Sequence, residues 1–159
     1  MCASPRSNFI LRNIPPSQTT AFAANHDAGI WNCLQQLLDT LPDSASVERA
    51  NIIAQLPQRL GGLGLRSATR TANAAFWASW ADTLPMIHAR HPLVADQMAT
   101  ELRNGPDSRA NGPNEIYVLI SSLRAEGYHN LPSWEDIIEG RRPSAPANIT
   151  ARDRCDWMH

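Results

Sequence analysis

The chain contains no lysine, since all 14 of its basic residues are arginine. That absence excludes a P-loop, whose G-x-x-x-x-G-K-[ST] signature needs the lysine to grip phosphates. There is also no Asp-Asp pair, and the one adjacent pair of acids is Glu135 and Asp136. Two-metal phosphoryl or nucleotidyl transfer requires carboxylates that converge on the ions. This pair, with Glu139 one turn further on, reads instead as the solvated face of a short helix, so no catalytic residue, metal site or cofactor is expected. Cysteine is scarce as well. Cys2, Cys33 and Cys155 lie far apart with no C-x-x-C, which indicates neither a disulfide framework nor a zinc knuckle. Cys33, inside an apolar stripe, reads as a small core residue. No apolar run approaches the roughly 20 residues of a membrane helix, and Met1 to Pro16 lacks the apolar stretch of a signal peptide. The expectation is an intracellular protein, cytoplasmic or nuclear, with no membrane partner. An excess of one charge is missing too: 15 acids against 14 bases leave a net charge of -1. Any contact with nucleic acid is therefore local. A length of 159 residues suits one domain with a real core.

Helical periodicity fills most of that length. Residues 1–16 read as an extended lead-in ending at Pro15 and Pro16. From Ser17, an N-cap, apolar residues recur at Phe22, Ile30, Leu34, Leu37, Leu38 and Leu41 until Pro42. A second helix carries Val47, Ala50, Ile53 and Ala54 on one face, bounded by Pro57. Ser67 caps the most regular stretch, with Ala68, Ala72, Ala75, Phe76, Ser79, Trp80 and Leu84 along one side. Leu84-Pro85 is expected to end or kink it. Pro92 opens a fourth helix through Val94, Met98 and Leu102. Two Asn-Gly-Pro triplets enclose a polar loop at 105–112, the expected hinge. Beyond it, residues 113–140 form a helical pair. Its first helix, opened by Pro113 and Glu115, turns Ile116, Leu119, Ile120 and Leu123 inward and stops at Gly127. Its second follows Ser133 with Trp134, Ile137 and Ile138. Residues 141–159 show no period and read as a disordered tail. The predicted fold is all-α, an irregular bundle of about six helices, with a core module over 17–104.

Three features interrupt the pattern. Gly61, Gly62 and Gly64 form a glycine turn within 57–65 that allows positive φ or close backbone approach. Its structural use outweighs a phosphate cradle. If Gly62 takes positive φ, alanine there costs on the order of 1 kcal/mol. His26 beside Asp27 has no nucleophile nearby and reads as a half-buried structural histidine. His88 and His91 are spaced for a metal, but His91 precedes Pro92 and is pushed out of the helical region. Among the tryptophans, Trp80 reads as core. Trp77, off the apolar stripe, is the better candidate for a contact outside the domain.

The run from Gln55 through Leu56-Pro57-Gln58-Arg59-Leu60-Gly61-Gly62-Leu63-Gly64-Leu65 to Ala68, followed by Ala74-Ala75-Phe76-Trp77-Ala78-Ser79-Trp80-Ala81-Asp82, carries a resemblance. Together with Phe9-Ile10-Leu11-Arg12, Leu131-Pro132-Ser133-Trp134 and Gly140-Arg141-Arg142-Pro143, it looks like the segment after the polymerase palm in non-LTR (LINE-like) retrotransposon reverse transcriptases. In that family the palm carries an aromatic-x-Asp-Asp metal site, to which nothing here corresponds. The segment after it acts as thumb and connection and holds template and primer.

The resemblance implies a non-catalytic fragment that makes weak, local contacts with nucleic acid. Arg59, Arg66 and Arg70 are the expected phosphate contacts, and Trp77 a further binding candidate. Its other partners would be the missing polymerase domains or another protein chain. The rival expectations are a helical protein-interaction or scaffold module, in which the glycine turn and Trp77 dock against a second chain, and a remnant without function.

Overall fold

The computed structural model describes residues 4–38, 44–104, 114–128 and 130–141. Among them lie seven α-helices and no strand, so the fold is all-α. The helices are α1 (Ser4–Asn13), α2 (Pro16–Leu38), α3 (Ser44–Gln55), α4 (Ala68–Arg90), α5 (Pro92–Asn104), α6 (Asn114–Ala125) and α7 (Trp134–Ile138). A 3-10 turn, Gln58–Leu60, follows α3. The expected loop at 105–112 and all of the expected tail except Arg141 lie outside the described residues.

Helix α4 is the axis of the fold. It packs against α1 and α2 on one side and against α5, α6 and α7 on another. Its 23 residues span about 34 Å at 1.5 Å per residue, long enough to serve two cores. The first cluster gathers Leu11, Ala23, Ala68 and Ala72, and its alanines let α2 and α4 approach closely. The second is larger and joins Phe76 and Leu84 to Leu102, Ile116, Leu119, Leu123, Trp134 and Ile137. The helices on either side of residues 105–112 therefore share one core.

Two expectations are corrected, for the lead-in and for α5, and a third is narrowed at Pro85. The extended lead-in contains α1: Pro5 sits in its first turn, where a missing N–H costs nothing, and Leu11 is buried in the α4 cluster. Of the end or kink expected at Leu84-Pro85, the end does not occur: α4 runs on past the proline to Arg90, with Leu84 wholly buried beside it. The helix ends at His91, whose φ of -141° and ψ of 72° leave the helical region ahead of Pro92. On α5 the buried face is Ala95, Ala99 and Leu102, and Val94 stays exposed. Small side chains at those positions let α5 lie close to α4.

Polar contacts tie the helices at their ends. Ser67 and Ser133 cap α4 and α7, each accepting at 3.1 Å from the N–H three residues on. Gly127 takes φ +103° after α6, as a helix stop of this kind requires. Ser17 donates to Glu115 Oε1 at 2.7 Å, joining α2 to α6. Arg12 pairs with Asp82 across α1 and α4, with the aspartate largely in solvent. Arg12→Ala is accordingly expected to cost less than about 1 kcal/mol, read as a small shift of the urea midpoint. A loss of several times that would place the arginine stem in the α1 packing. Among the described residues, no helix is long and apolar enough to cross a membrane.

Candidate functional site

The glycine turn is built as the C-terminal closure of α3. A helix leaves its last carbonyls without intrahelical partners, and here the chain folds back to supply donors. Ala54 O accepts from Leu63 N–H at 3.2 Å and Leu65 N–H at 3.1 Å, and Leu56 O accepts from Gly64 N–H at 2.9 Å. Gly61 and Gly64 hold φ of +82° and +69°, values that disfavour a Cβ. Gly62 does not, which corrects the expectation for it. Its reason is close approach: a Cβ there would lie 2.0 Å from Leu56 O and 2.6 Å from Ile53 O.

This closure also excludes a phosphate cradle in the turn. The N–H groups of Leu60 and Gly62 go to Pro57 O and that of Gly61 to Gln58 O, so every amide from Leu60 to Leu65 is donated within the chain. The start of α4 is likewise occupied. Asp27, on α2, accepts from Ala68 N–H at 2.7 Å through Oδ1, and from Ser67 Oγ–H at 2.7 Å and Thr69 N–H at 3.0 Å through Oδ2. Burial pushes the Asp27 carboxyl up, but the hydrogen bonds from Thr69, Ala68 and Ser67 outweigh it and hold the group below the usual carboxylate range. A carboxylate thus fills the place where an anion would meet the helix dipole.

Arg59, Arg66 and Arg70 are all exposed, on the 3-10 turn, just before the α4 cap and in the first turn of α4. Among the described residues, neither Arg66 nor Arg70 is held in an ion pair. Trp77 is elsewhere. It packs half-buried against the larger core, its ring 6.0 Å from that of Trp134, which corrects its assignment to an outward contact. Because α4 is covered on several sides, its apolar residues need no single stripe. Trp80 packs against the same core.

Two depressions flank the turn. One, of about 500 Å³, is an apolar groove whose lining includes His26, Ile30, Cys33, Leu34, Leu37 and Leu65. Cys33 is exposed in it and not a core residue, because α2 extends past the helices that cover its first half. His26 lies 6.1 Å from the Phe22 ring, and its Nδ1 lies 3.6 Å from Asp27 Oδ1. The other, of about 260 Å³, is a mixed cleft between α2, α3 and the loop, where Asp27, Trp31, Asn51, Gln55, Arg66 and Ser67 meet. Sequence reasoning singled out only Arg66 of this group as a site residue. Ser67 follows it in the chain, whereas Asp27 and Trp31 on α2 and Asn51 and Gln55 on α3, each pair one turn apart, are brought to it only by the fold.

The acids that two-metal chemistry would need are paired with arginine. Glu135 meets Arg103, and Arg141 meets both Asp136 and Glu139. Among the described residues, no group of three or more His, Cys, Asp or Glu is placed to hold a metal ion. No family model matches the chain, and neither a curated protein nor a solved structure matches it.

Proposed function

We propose that this chain is a non-catalytic helical module that works inside the cell, of the kind that follows the palm in non-LTR retrotransposon reverse transcriptases. It makes weak contacts with the phosphates of a template–primer duplex. The observation that carries the reading is the set of exposed arginines, Arg59, Arg66 and Arg70, at the glycine turn and the start of α4. Arginine suits phosphate through its planar fork of donors. With the backbone amides of the turn donated within the chain, the exposed guanidinium groups of Arg66 and Arg70 are donors there for phosphate. The net charge of -1 keeps the interaction weak, near the non-specific range of roughly 10⁻⁴ to 10⁻⁶ M or weaker at physiological salt.

The test is a titration of primer–template duplex at low and moderate salt, with the wild type and an Arg59→Ala/Arg66→Ala/Arg70→Ala variant. Three phosphate contacts predict that the variant loses about 3 from the slope of log affinity against log salt. Binding indifferent to the arginines, or none even at low salt, removes the reading.

A second reading has its own observation. Ile52 and Ile53 on α3, and Leu60 and Leu63 in the turn that follows it, are exposed, and among the described residues α3 makes no extensive contact with the other helices. An apolar face of this kind favours a protein-interaction module.

A further inference from the structure

We propose that the cleft between α2, α3 and the glycine loop binds the base of an adenine nucleotide, with Arg66 at its rim taking the phosphate. The ligand is either a free nucleotide or an unpaired adenosine at the end of a strand. In its strand form the proposal rests on the duplex-binding reading above, whereas the free-nucleotide form stands without it.

Size and wall chemistry set the ligand class. About 260 Å³ is just under the roughly 300–1,000 Å³ of pockets that enclose drug-sized ligands, so the cleft suits one ring system. Trp31 offers a half-buried indole along the cleft, and aromatic walls of this kind hold the face of a base.

Hydrogen bonding then selects among bases. Asn51 and Gln55 lie one turn apart on α3, and Gln55 Nε2 donates to Asn51 Oδ1 at 3.2 Å. That bond leaves the Asn51 amide N–H groups as donors and Gln55 Oε1 as an acceptor. Adenine presents an exocyclic amine beside a ring-nitrogen acceptor, the edge that carboxamide side chains match; unpaired cytosine carries the same pair on one edge, whereas adenine offers it on two edges and brings two fused rings to the Trp31 face. Asp27 lines the same cleft, and three donors occupy its oxygens. With about four lone-pair sites on a carboxylate, one remains to accept from the amine. The same negative charge turns the phosphate away from Asp27 and toward exposed Arg66. Thymine carries a carbonyl in place of the amine, which sets acceptor against acceptor.

The experiment follows intrinsic tryptophan fluorescence while AMP, TMP or ribose 5-phosphate is added. Proteins compared are the wild type, Trp31→Phe and Asn51→Ala/Gln55→Ala, with far-UV circular dichroism showing that each variant is folded. AMP is expected to change the wild-type signal with about tenfold higher affinity than TMP. Trp31→Phe is expected to lose that change, and the double variant to lose the preference. No response to AMP beyond that to ribose 5-phosphate overturns the proposal, as does an undiminished preference for AMP in the double variant.

A second arm compares a blunt duplex with one bearing a single unpaired 3′ adenosine. Tighter binding of the overhang, lost in the double variant, identifies the strand as the source; equal binding leaves the free nucleotide. If AMP binds and neither duplex does, the duplex-binding reading falls and the cleft stands. If both duplexes bind and AMP does not, the cleft falls alone.

Discussion

Gly62→Ala is expected to lower the stability of the protein by about 3 kcal/mol, near the top of the range for forcing an extra carbon into a packed site. The new Cβ would meet Leu56 O at 2.0 Å, Leu56 C at 2.5 Å and Ile53 O at 2.6 Å. All three are backbone atoms of the α3 end and cannot swing aside as a side chain does. The loop has to lift, and lifting it strains the bonds from Leu63 and Leu65 to Ala54 O and from Gly64 to Leu56 O. Each is worth about 0.5–1.5 kcal/mol. Gly61→Ala is the control. Its φ of +82° is unfavourable for alanine, yet nothing lies within 4 Å of the added carbon, so the expected loss is about 1 kcal/mol. Urea denaturation followed by circular dichroism gives both values. A Gly61 variant hurt as much as the Gly62 variant would mean that backbone conformation, and not the approach of the loop to α3, makes this turn need glycine.

That contrast marks how far the fold is legible in the sequence. Signals confined to one helical turn are readable: the Ser67 cap, the start of a helix after Ser133, the Gly127 stop and the inward face of Ile116, Leu119 and Leu123 all appear in the structure as expected. Tertiary context decides the rest. A glycine turn can be seen in the sequence, but which glycine answers to φ and which to a neighbouring carbonyl depends on where α3 ends. Trp77 lies off the stripe of α4, yet α4 is surrounded, so off the stripe is still indoors. Pro85 reads as an end or a kink because its missing hydrogen bond is a local penalty, whereas the burial of Leu84 beside it comes from other helices. The candidate site divides the same way. Arg59, Arg66 and Arg70 stand out as basic residues near glycines, while Asp27 and Trp31 reach the same region from α2 across 40 residues of chain between Asp27 and Ser67.

Asp27 accordingly carries the other large effect. Asp27→Ala is expected to cost about 3 kcal/mol, since hydrogen bonds to a charged group contribute roughly 1.5–3 kcal/mol each and those to Ser67, Ala68 and Thr69 overlap in function. Asp27→Asn keeps an acceptor oxygen but loses the charge facing the helix dipole, and its expected loss is about 1–2 kcal/mol. The pH dependence has a definite sign. The folded-state pKa is held below the ordinary carboxylate value, so the contribution is complete above about pH 4 and is lost as pH falls through the folded-state value. Wild type should therefore lose stability toward low pH more steeply than Asp27→Asn, and the two curves should converge. An Asp27→Ala variant as stable as wild type at pH 7, or an acid limb unchanged in Asp27→Asn, would remove Asp27 as the clasp between α2 and α4. The same variant also bears on binding. Asp27→Ala leaves Arg59, Arg66 and Arg70 in place and deletes a negative charge from the cleft that Arg66 lines, so duplex affinity at low salt should rise while stability falls. Opposite movement of the two quantities distinguishes relief of a competing charge from general loosening of the loop, which would weaken both.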